Sequence, residues 1–209
     1  KSKRLNHLVN SLFDAAKASS GDIPVEWMNV DMKTLVEQAL GEFSDDFDKN
    51  NLTTVFHGTE ESTMVYADGK LMFRIMENLL GNVKKYAMAG SRVYVDLVTE
   101  GSRVTLTVKN ISAAPLNITA SDLLERSVRG DDSRNTEGSG LGLSIAGDLA
   151  ELMKGDFHVE IDGDLFKAVL TMPRVFCETE PATPQDIKDD ETANLDVTTA
   201  SDSPDILEL

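Results

Sequence analysis

Glu77-Asn78-Leu79-Leu80-Gly81-Asn82-Val83-Lys84-Lys85-Tyr86-Ala87 stands out first in the 209-residue chain. It sits inside Lys70 to Met88, where Leu71, Ile75, Leu79, Val83 and Tyr86 recur at helical spacing. On such a helix Asn78, Asn82 and Lys85 share one face, at i, i+4 and i+7. Asparagine is a poor helix former, so two at this spacing need a reason. An amide oxygen is a hard ligand suited to Mg²⁺, and a lysine one turn on suits phosphate oxygens. A solvated polar stripe would show the same spacing, so this stretch does not decide the chemistry alone.

Reading outward toward the N-terminus, Asp68-Gly69 opens this helix, and Thr53 to His57 and Ser62 to Tyr66 read as short strands. Met32 to Asp48 carries Leu35, Val36, Ala39, Leu40, Phe43 and Phe47 at helical spacing, with Asp31 as its N-cap. Glu26 to Val30 is an extended lead-in. Before it, Lys3 to Ser19 repeats Leu5, Leu8, Val9, Leu12, Phe13 and Ala16 as one apolar helical face, closed by Ser19-Ser20-Gly21-Asp22.

Toward the C-terminus, Arg92 to Thr99 and Val104 to Asn110 alternate apolar and polar residues around Glu100-Gly101-Ser102, the pattern of a hairpin. Ala113 to Gly140 is polar and charge-rich, with a short helical piece near Ser121 to Arg126. A loop of that length in a compact domain is functional or mobile. Leu141 to Lys154 is a helix with a Gly-rich entrance, and Phe157 to Ile161 and Phe166 to Met172 form a second hairpin around Asp162-Gly163-Asp164.

Two further segments carry chemistry. In Gly138-Ser139-Gly140-Leu141-Gly142-Leu143 the glycines let backbone approach a phosphate, and the helix that follows offers free N–H groups and a positive dipole end. An ordinary flexible loop can look the same. No strand directly precedes it, so it is not a dinucleotide fingerprint, and it lacks the Gly-Lys-Ser/Thr ending of a P-loop. In Val108-Lys109-Asn110-Ile111-Ser112, Asn110 has both donor and acceptor atoms for an adenine edge, although a strand-end turn would use it equally well.

The order of these pieces resembles the GHKL ATPase/kinase superfamily, and within it the sensor histidine kinases. Asn78 to Tyr86 resembles their N box, Asn110 falls where the G1 box begins, Leu123 to Ser127 resembles the F box and Gly138 to Leu143 the G2 box. Val128 to Glu137 resembles a histidine-kinase ATP lid. The resemblance covers roughly Val30 to Pro173 and implies an α+β fold. This is the Bergerat fold, a two-layer α/β sandwich with a mixed, mostly antiparallel sheet packed on helices. One helix of a dimerisation hairpin precedes it. It also implies roles. Asn82 would hold Mg²⁺, Asn78 would support the ATP from the same face, Lys85 would contact phosphate and Tyr86 would line the pocket. Gly138, Ser139, Gly140, Leu141, Gly142 and Leu143 would close on the triphosphate, and Arg129 and Arg134 would reach the γ-phosphate from the lid.

Asn78 stands where the superfamily's ATPases carry a water-activating glutamate. An amide cannot take up that proton, which favours a kinase over ATP hydrolysis. The sequence departs from the usual Asp-x-Gly-x-Gly at Asn110 to Ala114. Asn110 still accepts a hydrogen bond but loses its charge-assisted part, roughly 1 kcal/mol. Ser127 stands where the F box usually has an aromatic. The competing functions are another GHKL ATPase, a serine kinase, or a nucleotide-binding module without turnover.

The 209 residues then divide into residues 1–20, the second helix of the dimerisation hairpin, residues 23–175, the ATP-binding domain, and residues 176–209, an acidic tail expected to be disordered. From Glu178 the tail holds ten acids and one lysine, so −9 of the total −16 resides there. That balance argues against nucleic acid as a partner. The single Cys177 leaves no internal disulfide and fits a reducing compartment. No apolar run approaches the 18 residues of a membrane span, and the resemblance implies that this piece lies in the cytoplasm. His7, His57 and His158 all lack the acid and Lys/Arg-Thr/Ser-Pro that follow a phosphoacceptor histidine in this family. The receiving histidine is therefore expected on an upstream helix of a longer, homodimeric, membrane-located protein. The partner the resemblance implies is a response regulator receiver domain.

Overall fold

The computed structural model describes residues 23–116 and 141–175. Two aspartates organise the start of the fold. Asp31 ends strand β1 (Met28–Asp31) and caps helix α1 (Met32–Lys49), accepting from the Lys33 N–H at 3.2 Å and the Thr34 hydroxyl at 2.8 Å. The Thr63 hydroxyl also donates to it. Burial pushes Asp31 up, but the hydrogen bonds from Thr63, Thr34 and the Lys33 backbone outweigh it and hold the carboxyl below its ordinary value. Asp68 caps helix α2 (Gly69–Tyr86) through the N–H groups of Lys70 and Leu71. Its other oxygen accepts from Glu26 N at 2.8 Å, which fastens the lead-in to the start of α2.

Strand β2 (Thr53–His57) follows α1, and strand β3 (Met64–Ala67) pairs antiparallel with β1 as a two-stranded ribbon. After α2 come β4 (Arg92–Glu100), β5 (Arg103–Ile111), helix α3 (Gly142–Leu152), β6 (Asp156–Asp162) and β7 (Leu165–Pro173). The five-stranded sheet runs β2-β4-β5-β7-β6, with β2 parallel to β4 and every other pair antiparallel. Gly101 and Gly163 turn the two hairpins at φ 56° and 58°, the left-handed region that glycine enters without a Cβ penalty.

Alternation along the strands decides which face the helices cover. Val93, Val95 and Leu97 on β4, Val104, Leu106 and Val108 on β5, and Phe166, Ala168, Leu170 and Met172 on β7 are buried. They share one core with Met32, Val36 and Phe47 of α1, Ile75, Leu79 and Val83 of α2, and Ile145 and Leu149 of α3. Each of these side chains other than Ala168 contributes about 1.5–3 kcal/mol on leaving water. The opposite face is polar.

The result is the α+β sandwich expected from the sequence, with small shifts at element ends. The third strand lies at 64–67, not 62–66, because it pairs Met64 with Asp31. Helix α2 stops at Tyr86, not Met88, because Ala87 and Met88 leave the helix to bond the end of β5. The expected N-terminal helix, the short helix near 121–126 and the acidic tail lie outside the described residues.

Candidate functional site

The polar face of α2 forms as its spacing predicts. Asn78 Nδ2 donates to the Arg74 carbonyl, one turn back on its own helix, at 3.0 Å. This leaves Oδ1 facing the start of α3. A Cβ built on Gly142 would stand 3.2 Å from that oxygen. Gly142 is the first residue of α3, and its N-cap, Leu141, makes no side-chain capping bond. The first N–H groups of α3, which have no intrahelical partner, therefore open beside Asn78. Leu143 lies in that turn with its side chain buried in the core. Asn82 is half-buried one turn beyond Asn78. The Lys85 Nζ donates to the Tyr86 hydroxyl at 2.6 Å and lies 4.5 Å from that ring's centroid.

Asn110 belongs to β5 and points to the helix-covered face, where its neighbours in register are Val93 and Phe166. It is 3% exposed. Its Nδ2 donates to the Ile111 carbonyl at 3.3 Å, while its Oδ1 is buried with no hydrogen-bond partner. An unpaired buried acceptor costs about 1–3 kcal/mol, so it marks a place where a donor is expected.

Backbone bonds hold these two surfaces together. Met88 N donates to Ile111 O and Ala113 N to Tyr86 O, each at 2.8 Å, and Ala87 bridges Ser112. Ser112 N in turn donates to Asp164 O at 2.8 Å. The C-terminal end of α2 is thus stitched to the end of β5, which puts Tyr86 beside the segment that begins at Asn110. The Ser112-Ala113 segment performs this stitching without the glycines the family's G1 box usually has. These long-range bonds, and the approach of Gly142 to Asn78, carry no local signal in the sequence.

Arg129, Arg134, Gly138, Ser139 and Gly140 lie outside the described residues, as do the F-box segment and His7. A concavity of about 550 Å³ lies elsewhere, against β1 and the starts of α1 and α2, and none of the residues expected to bind nucleotide lines it. Among the described residues no cluster of three His, Cys, Asp or Glu could hold a metal.

The other two histidines lie on the polar face of the sheet. His57 Nδ1 pairs with Asp96 Oδ1 at 2.7 Å, and Lys109 pairs with the second oxygen of Asp96. Burial pushes Asp96 up, but the Lys109 and His57 partners prevail and hold it below the ordinary carboxylate value. His158 stands 3.5 Å from both Asp156 and Glu160. Neither histidine is near the α2 face.

Comparison with known proteins identifies the family. Residues 67–182 match the family of histidine kinase-, DNA gyrase B- and HSP90-like ATPases. The sensor histidine kinase YcbM of Bacillus subtilis is 26% identical over 162 residues, 77% of this chain and 52% of that protein. Among solved structures, the Acinetobacter baumannii histidine kinase AdeS superposes with a TM-score of 0.67 at 21% identity, covering 82% of this chain and 79% of that one. ShkA, solved full-length in complex with AMPPNP, gives 0.66 at 23%, covering 81% and 35%. Histidine kinase ThkA, in complex with the response regulator protein TrrA, gives 0.61 at 18%, covering 83% and 48%. At these identities the solved structures establish the fold. The chain spans about half or less of the length of the curated relatives it matches. Among the described residues no helix is long and apolar enough to cross a membrane. The chain belongs to the histidine kinase-, DNA gyrase B- and HSP90-like ATPase family, and within it to the ATP-binding catalytic domains of sensor histidine kinases.

Proposed function

We propose that residues 23–175 bind ATP between the end of β5 and the polar face of α2, and deliver its γ-phosphate to a histidine on an upstream helix of a longer homodimeric sensor kinase. The observation that carries this reading is the buried, unpartnered Oδ1 of Asn110. It is an acceptor aimed into the helix side of the sheet, at the point where the end of α2 is tied in. The exocyclic amino group of adenine is a donor that would satisfy it. The committed Nδ2 leaves that acceptor as the free atom of the amide.

Lys85 would contact phosphate, with Tyr86 lining the pocket at the base end. Asn82 would hold Mg²⁺ through its amide oxygen, and the ion when bound neutralises charge on the phosphates. Asn78 would support the nucleotide from the same face, beside the start of α3, where the backbone N–H groups of Gly142 and Leu143 suit phosphate oxygens. Leu141, Ser139 and the glycines at 138 and 140 would complete that turn, and Arg129 and Arg134 would reach the γ-phosphate from the lid. With an amide at position 78 no carboxylate activates water there, which favours transfer over hydrolysis. The imidazole nitrogen attacks the γ-phosphorus in line as ADP leaves, and catalysis rests on positioning and charge neutralisation. The phosphoryl group then passes to an aspartate of a response regulator receiver domain. ThkA bound to TrrA supplies the analogy for that partner.

The test is Asn82→Ala. It should weaken ATP binding in the presence of Mg²⁺ by about tenfold or more while leaving the fold intact. Equal binding by variant and parent would defeat the assignment of the metal side. Acid-labile phosphate on the full-length protein supports the histidine kinase, and acid-stable phosphoserine opposes it.

A further inference from the structure

An asparagine at position 110 raises a question that an aspartate would not. Both oxygens of a carboxylate accept, whereas an amide accepts at one end and donates at the other. Which end of Asn110 meets a base therefore decides which bases fit.

The surroundings of Asn110 fix that choice. Its Nδ2 donates to the Ile111 carbonyl at 3.3 Å. The same carbonyl accepts from Met88 N at 2.8 Å, so the strap between the end of α2 and the end of β5 holds it in place. Turning the amide over would set Oδ1 against the Ile111 carbonyl, acceptor against acceptor. It would also leave Nδ2 without a partner on the helix-covered face, where the neighbours in register are Val93 and Phe166, both apolar and buried. The turned amide would lose one hydrogen bond and gain none, in a site where an unpaired polar atom is costly. Oδ1, buried and unpartnered, is the end left for a ligand.

We infer that the Ile111 carbonyl locks the Asn110 amide with its acceptor toward the base, and that this lock makes the site select purines with an amino group at C6 over purines with a carbonyl there. This rests on the nucleotide reading given above. A 6-amino purine presents a donor to Oδ1. A 6-oxo purine presents an acceptor, and the locked amide does not turn to meet it. Such a mismatch leaves two buried polar atoms facing each other unpaired, which a site rejects more strongly than a difference in apolar size. Asn110 is then a specificity-determining residue, and Ile111 positions it through a main-chain atom that its own side chain does not affect.

The experiment measures binding of ADP and IDP, each with Mg²⁺, to the 209-residue chain by calorimetry. The two nucleotides share ribose and phosphates and differ at the C6 edge of the base. The parent should prefer ADP by about tenfold or more. Asn110→Ser supplies a hydroxyl that rotates to donate or accept and has no second polar atom to be locked. Its affinity for ADP should fall about tenfold while its affinity for IDP changes less than about twofold, so the preference shrinks toward unity. A purely structural role for Asn110 would lower both affinities together. Equal binding of the two nucleotides by the parent overturns the inference, and so does a serine variant that keeps the parent's ratio. Should the serine variant not fold, Asn110→Ala decides the ratio with the same expectation. If the parent chain binds neither nucleotide, it is the nucleotide reading itself that has failed.

Discussion

The two faces of the five-stranded sheet treat polar groups in opposite ways. On the polar face, Asp96 is shared by His57 and Lys109, and Glu160 by Lys167 and His158. Lysine and histidine side chains stand beside both carboxylates. On the helix-covered face, Asn110 is set among Val93, Val108 and Phe166 with its acceptor unpaired. Low dielectric makes an unpaired polar atom expensive, so its persistence on the apolar face asks for a ligand. Paired charges near solvent ask for nothing further. The contrast separates the proposed binding group from a structural cluster although both lie on the same strands.

The sharpest way to break that contrast is Asn110→Ala. Nucleotide affinity should drop about tenfold, read by calorimetry, because one hydrogen bond to the base is lost. Thermal stability should stay level or rise, since the substitution removes an unsatisfied buried atom. A fall in melting temperature without a fall in affinity would show that Asn110 is structural and that the two faces do not differ in kind.

Asp96→Asn probes the other face and should give the reverse pattern. Unfolding free energy should fall by about 0.5–1 kcal/mol, the range of partly exposed ion pairs, with ATP affinity unchanged. The effect should depend on pH. The folded-state value of Asp96 lies below its ordinary 3.8. Its contribution is then fully present above 3.8 and lost as pH falls through the folded-state value. Denaturant melts of parent and variant should therefore differ at neutral pH and converge in acid. A gap that persists in acid would locate the stabilisation in packing, not in charge.

The smallest effect belongs to Gly142→Ala. The added carbon meets Asn78 Oδ1 at 3.2 Å, so the start of α3 must give by a few tenths of an ångström. ATP affinity should fall by less than tenfold, with the melting temperature within about 2 °C of the parent. An unchanged affinity would mean that the approach of α3 to Asn78 is incidental to binding.

Much of this site was legible in the chain. Asn78, Asn82 and Lys85 share a face because helical geometry alone puts them there, and Leu71, Ile75, Leu79 and Val83 fix which side turns inward. The alternation in β4 and β5 likewise specified a half-buried hairpin. Asn110 was legible only as a residue type at a strand end. Its burial and its unpaired oxygen follow from which face of the sheet the helices cover, and that depends on partners distant in sequence.

Local periodicity, capping residues and turn glycines by themselves determined the helices, the hairpins and the polar face of α2, since these depend on backbone geometry within a few residues. The tertiary structure decided how those pieces make a site. The strap from Tyr86, Ala87 and Met88 to Ile111, Ser112 and Ala113 ties the end of α2 to the end of β5. The close approach of Gly142 to Asn78 sets a helix N-terminus against that row. Both link residues more than 20 positions apart, the first through backbone groups that every residue carries and the second through the packing of Gly142 against the Asn78 side chain. Side-chain identity alone could not announce them.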